Sequence, residues 1–205
     1  MMLRRVQSEA DYWPTCSEVI TMVKLDQIIH LMPLVEGVSA TVDEATLSLT
    51  GPNGSTSREF SHTKVNVSLD GDNVVVQCEL PRRKEKAICG TWKAHINNMM
   101  TGVTDGFEYR LKAVYSHFPM TMTVNGSSFE IKNLFGEKVP RVADLKWTPV
   151  DVQVRVENKS DVIVSGVDRE KVGQTAAIIE RSCKIRHRDR RIFQDGVYIV
   201  SKGAN

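Results

Sequence analysis

No C-x-x-C pair and no histidine pair at metal-ligand spacing occurs in this chain, and its four cysteines, Cys16, Cys78, Cys89 and Cys183, stand far apart. A zinc site is therefore not expected, and the scatter fits thiols kept reduced in the cytosol rather than a disulfide framework. Apolar runs approaching about 18 residues are missing too, which excludes a transmembrane helix. The start offers Arg4 and Arg5 but continues Gln-Ser-Glu-Ala-Asp, without the apolar region of a secretion signal. The expected location is cytoplasmic.

Catalytic signatures are equally scarce. The histidines His30, His62, His95, His117 and His187 lie on different segments, and none has a nucleophile or carboxylate at a recognised catalytic spacing. Gly51-Pro-Asn-Gly54 and Gly90-Thr-Trp-Lys93 both lack the G-x-x-x-x-G-K-[ST] spacing of a phosphate-binding loop and read as a turn and a helix entry. Cys89 reads as a buried thiol. His95 reads as a structural polar residue. The expectation is a non-enzyme without a cofactor or metal.

What is present is ordinary in amount and uneven in placement. The 205 residues are 41% hydrophobic and 25% charged, enough for one or two domains that each bury a core. Within Arg181–Arg191, six basic residues (Arg181, Lys184, Arg186, Arg188, Arg190, Arg191) stand against the single acid Asp189, a net +5 with His187 in the middle. The chain as a whole carries only +2, so everything else sums to −3. Charge gathered in this way suits a polyphosphate, because each contact releases condensed counterions and the guanidinium forks onto phosphate oxygens. The competing reading is a solvated helix end. A lesser basic run, Arg82-Arg-Lys-Glu-Lys86, carries +3.

The chain is written twice. Val65–Val76 alternates apolar and polar around Asp70-Gly-Asp72, and Val152–Val164 does the same around a turn one residue longer, so both read as hairpins. Each precedes a segment read as a helix opening at a glycine, Gly90 with Ala94 and Ile96, then Gly173 with Ala177 and Ile179. An Asp-Gly step into a strand follows each, at Asp105-Gly106 and Asp195-Gly196. Further strand pairs lie upstream, Val38–Leu49 with the turn at 51–54, and Thr121–Ile131 across Asn125-Gly126. The fold class is α+β: two tandem duplicated domains, each an antiparallel sheet packed with one main helix, at 34–117 and 118–205. Ile96, Met99, Met100 and Val103 should face one sheet, and Val172, Ala176, Ile179 and Cys183 the other. Gln174 would stand beside helix N-terminal amides able to bind an anion. Residues 1–33 fit neither copy. Thr15-Cys-Ser-Glu18 looks like a capping box, and the apolar positions of Val19–Leu31 fit a helix or a strand about equally well; the segment is read as a helix, with an extended tail as the alternative.

Written out, the second copy resembles a known family. Val172-Gly-Gln-Thr-Ala-Ala177 followed by Ile185-Arg-His-Arg-Asp-Arg-Arg-Ile-Phe193-Gln-Asp-Gly-Val-Tyr198 through Lys202 is similar to the C-terminal signature of large-subunit ribosomal protein six, called nine in eukaryotes, of the archaeal type. Gly90-Thr91, His95–Met99, Gly102–Phe107, Tyr115–Met120 and Asn133–Lys138 extend the likeness over about residues 34–202. Two departures stand out: Arg181 occupies a place where the signature usually has Gln, and the first thirty-odd residues are unlike the family's short start.

The resemblance implies two duplicated domains, no catalysis, and binding to large-subunit rRNA beside the stem leading to the sarcin-ricin loop and near the translation-factor site. Neighbouring ribosomal proteins would be further partners. Carried across, Arg181, Lys184, Arg186, His187, Arg188, Arg190 and Arg191 are the expected RNA contacts, with Gln174 and Lys202 beside them, while Phe193 and Tyr198 support the sheet. The alternative class is a free protein-interaction module in which the basic run is incidental.

Overall fold

A computed structural model describes residues 27–186 and 188–204. Seven elements make the first half: strands β1 (Gln27–Pro33), β2 (Ser39–Asp43), β3 (Thr46–Gly51), β4 (Gly54–Glu59), β5 (Val65–Asp70) and β6 (Asn73–Glu79), and the helix α1 (Arg83–Thr104). The second half has strands β7 (Phe107–Val114), β8 (Thr121–Asn125), β9 (Ser128–Lys132), β10 (Arg141–Asp144), β11 (Val152–Glu157) and β12 (Asp161–Gly166), the helix α2 (Arg169–Ser182) and the last strand β13 (Gly196–Ala204). The expected hairpins are β5–β6 and β11–β12, antiparallel in register Val67↔Val76 and Val154↔Val164. Alternation decides which side faces inward: Val65, Val74, Val76 and Cys78 are buried in the first hairpin, Val152, Val162 and Val164 in the second.

Each half closes its own core. The three-stranded sheet β1-β6-β5 and the meander β2-β3-β4 enclose Ile96, Met99, Met100 and Val103 of α1. The four-stranded sheet β11-β12-β7-β13 and the meander β8-β9-β10 enclose Val172, Ala176 and Ile179 of α2, with Cys183 just past its end. Every helix residue expected to face a sheet is buried. The fold is α+β with a tandem duplication.

Sheet pairing re-phases the repeat. β7 follows α1 yet pairs with β12 on one side and β13 on the other, in the middle of the second sheet. In the first sheet the same place, beside the second strand of the hairpin, is taken by β1. The unit is therefore one strand, a three-stranded meander, a hairpin and a helix, and it begins upstream of the boundaries expected at 34 and 118. For the same reason the helix expected over Val19–Leu31 is corrected where it can be seen: Gln27–Leu31 is strand, its alternation matched to Val75–Glu79. Its remaining part and Thr15–Glu18 lie outside the described residues.

The helices also begin earlier than their glycines. Gly90 and Gly173 sit inside α1 and α2, and Arg83–Lys86 forms the first turn of α1. Asp168 caps α2 by accepting the Glu170 amide at 2.8 Å, so that N-terminus already has its anion. Gln174 lies more than a turn further on. Gln174 therefore does not stand beside the amides of the helix start, contrary to expectation.

The halves meet where the end of α1 touches the entry to α2. A Cβ on Gly102 would stand 2.0 Å from the Val167 carbonyl oxygen, so glycine there is a requirement of close approach. Val167 packs on the first core. Around it, Arg58 pairs with Glu170 at 2.8 Å, His95 Nδ1 lies 3.5 Å from the same carboxylate, Arg169 donates to Asn98 at 3.0 Å, and Asn53 donates to the Thr104 carbonyl at 2.6 Å.

Candidate nucleic-acid interface

The basic run occupies the last turn of α2 and a loop that returns to β13. Arg181, Lys184, Arg186, Arg188, Arg190 and Arg191 are all exposed. His187 lies outside the described residues. Asp189, the one acid of the run, is spent on the turn itself: its carboxylate accepts the Arg191 amide at 2.9 Å, and its carbonyl accepts the amides of Ile192 and Phe193 at 3.2 and 3.0 Å. Among the described residues that carboxylate forms no ion pair with an arginine. Gln194 and Tyr198 close the loop, Gln194 donating to the Arg191 carbonyl at 3.1 Å and the Tyr198 hydroxyl to the Gln194 carbonyl at 2.8 Å. Asp195 accepts the Ser116 amide at 2.9 Å and ties the loop's exit to the chain beyond β7.

Beneath the loop is an aromatic and guanidinium stack. Phe193 packs on the second core and meets Phe135 edge-on, ring centres 5.9 Å apart. Arg188 lies over both rings, 4.8 Å from Phe193 and 5.6 Å from Phe135. Arg188 is thus engaged by the two rings on one side of its guanidinium plane while the residue remains exposed. Phe135 itself takes φ +52°, unusual for an aromatic residue, in a turn where Asn133 also has φ +62°. That turn aims the ring at the loop, and Asn133 holds it by donating to the Pro119 carbonyl at 3.0 Å.

Arg141 on β10 fastens the start of the loop. Its Nη1 donates to the carbonyls of Ser182 at 3.2 Å and Lys184 at 2.6 Å, the free acceptors left by the end of α2. Its Nε and Nη2 take both oxygens of Glu137 at 2.9 and 2.7 Å. The bidentate bond holds the Glu137 carboxyl below its ordinary range against the opposing effect of burial, and Arg188 and Arg186 add to the lowering. Cys183, at the helix end, accepts the Val197 amide at 3.4 Å, and burial pushes its thiol up, so it is a neutral packing group.

Two grooves flank the loop. One, about 430 Å³, is lined by Arg181, Lys184, Arg190 and Tyr198; the other, about 540 Å³, by Arg181, Lys184, Arg186 and Arg141. Four of the expected cations thus converge, with Arg181 and Lys184 shared by both grooves. Gln174 and Lys202 are exposed but stand apart: Gln174 is roughly 10 Å of helix rise before Arg181. Lys202 is opposite Tyr109 in the sheet register, and the Tyr109 ring lies against Gly173, so Lys202 shares a side with Gln174 rather than with the loop. Sequence reasoning missed Arg141 and Phe135. The i, i+4 spacing of Glu137 and Arg141 was the available signal for the ion pair, but nothing local pointed to the helix carbonyls.

Taken together, the molecule is a duplicated α+β scaffold that presents a cationic loop held by paired and stacked side chains. The ribosomal protein L6 family model matches it twice, over residues 35–106 and 118–196. The chain belongs to the ribosomal protein L6 family. It is 43% identical to large ribosomal subunit protein uL6 of Methanobrevibacter smithii over 88% of this chain and 99% of that protein. It is 44% identical to the uL6 protein of Methanosphaera stadtmanae over 88% and 97%, and 40% identical to that of Methanosarcina mazei over 88% and 99%.

Proposed function

We propose that this chain is a structural, non-catalytic component of the large ribosomal subunit, working in the cytoplasmic ribosome. It binds large-subunit rRNA through Arg181, Lys184, Arg186, His187, Arg188, Arg190 and Arg191, with Gln174 and Lys202 as outlying contacts. The site on the RNA is the stem leading to the sarcin-ricin loop, near the translation-factor site, and neighbouring ribosomal proteins are the other partners. The observation that carries this reading is the run of exposed cations whose one acid is bound to backbone amides. Such a surface gains from each phosphate through counterion release.

The test replaces Arg186, Arg190 and Arg191 by Gln in the full chain. The slope of log K against log salt for purified large-subunit rRNA should flatten by roughly two to three, at about 0.9 per lost contact, and less protein should travel with large subunits in a gradient. Thermal stability should stay within about 0.5 kcal/mol per site, since these side chains are exposed. A normal slope together with normal incorporation would overturn the assignment and leave the free protein-interaction module.

A further inference from the structure

A second cationic surface lies on α1, and the contact proposed above leaves it unused. Arg82, Arg83, Lys84, Lys86 and Lys93 are exposed, and among the described residues none of their side chains is placed in an ion pair or hydrogen bond. Their acidic neighbour Glu85 turns inward. Its carboxyl is held low first by its own backbone amide, then by Lys64 at 3.9 Å, outside the helix, and by the Arg82 amide and charge. At 100° per residue, Arg83, Lys86, Gly90, Lys93 and Asn97 fall within roughly 80° of arc along about 21 Å of helix. This arc lies beside the stripe of Cys89, Ile96 and Val103 that packs on the core.

Gly90 is at its centre. A Cβ there would meet nothing within 4 Å, in contrast to Gly102 near the other end of the same helix. Glycine is the poorest helix former after proline, and here neither packing nor a positive φ requires it. What its bare backbone permits is the close approach of a polymer between Lys86 and Lys93. The charge of the flanking residues selects a polyanion.

We propose that this face of α1 is a second nucleic-acid contact, taking the sugar-phosphate backbone of an RNA segment other than the one held by the 181–191 loop. The proposal rests on RNA binding by this chain. α1 and α2 touch where the last turns of α1 meet the start of α2, through Gly102 with Val167 and Asn98 with Arg169. The two basic surfaces lie toward the ends of the helices remote from that joint. A chain built this way holds two RNA segments through two domains whose relation is set by the joint.

Gly90→Gln in the full chain decides the matter, because fold and binding should respond in opposite directions. A side chain reaching into open space from a better helix former should hold or raise the melting temperature. Bound RNA backbone should be pushed away, weakening affinity for purified large-subunit rRNA at least fivefold. Arg83→Gln, Lys86→Gln and Lys93→Gln together should flatten the salt slope by roughly two to three. Unchanged affinity in Gly90→Gln overturns the proposal, including the case in which that variant binds RNA normally but fails to join large subunits, which would mark the face as a protein contact. The loop variant Arg186→Gln, Arg190→Gln, Arg191→Gln, measured alongside, separates the two readings: if it too binds normally, RNA binding through the loop fails as well.

Discussion

The passage out of α1 and the passage out of α2 come from the same repeated unit and have diverged in opposite directions. From Gly90 to Asp105 the first copy needs 15 residues, nearly all helix, and Asp105-Gly106 leads straight into β7. From Gly173 to Asp195 the second copy takes 22, because α2 stops at Ser182 and thirteen residues intervene before β13. The short passage is structural: its glycine turn at φ +79° delivers β7 to the middle of the next sheet, between β12 and β13. The long one keeps to the core between Cys183 and Val197 only through Ile185 and Phe193, and its cations occupy the rest of the excursion. Duplication therefore supplied two equivalent exits, of which one became the link between domains and the other a loop free to accumulate charge.

The sharpest way to break this comparison is to cut the chain at it. A fragment of residues 118–205 lacks β7 and with it the buried Phe107, Tyr109, Leu111 and Ala113, leaving β13 without a neighbour. It should show no cooperative melt, whereas residues 105–205 should melt cooperatively and bind rRNA. A folded 118–205 fragment would show that the short exit is not structural.

A smaller effect separates the loop's base from its tip. Phe193→Ala removes a ring packed on both Phe135 and the core and should cost about 3 kcal/mol, or roughly 12–24 °C in a domain of this size. Arg188→Ala, which loses its place over two rings, should cost about 1 kcal/mol. If Arg188→Ala melts like the parent, the stack does not hold the loop and Arg188 serves RNA binding alone.

The smallest effect is a pH dependence at Glu137. Its folded-state carboxyl lies below the ordinary value of 4.5, so the stability it lends is complete above that pH and is lost as pH falls through the lower folded value. The difference in melting temperature between the parent and Glu137→Gln should therefore be constant from about pH 6 to 5 and shrink below about 4.5. A difference that persists unchanged to about pH 3 would remove the Arg141–Glu137 bond from the account of how the loop is anchored.

Much of this molecule is decided by local pattern. Alternation in Val65–Val76 and Val152–Val164 specified both hairpins and which side of each is buried, because side chains on a strand change face at every residue. The 3.6-residue spacing likewise identified the core side of α1 and α2, and the surplus of six bases over one acid located the cationic loop without any coordinates. What the tertiary structure alone decided is allegiance. β7 follows the first helix and pairs in the second sheet, and Gln27–Leu31 fits helix and strand alike until Val75–Glu79 is laid beside it, since a strand's partner is distant in sequence. The fate of individual charges is equally non-local: Arg141 was spent on the carbonyls at the end of α2, Arg188 on two phenyl rings and Asp189 on amides, while Arg186, Arg190 and Arg191 were left exposed. A charge count is a property of composition, but whether a charge is free depends on which acceptors the fold brings within about 3 Å of it.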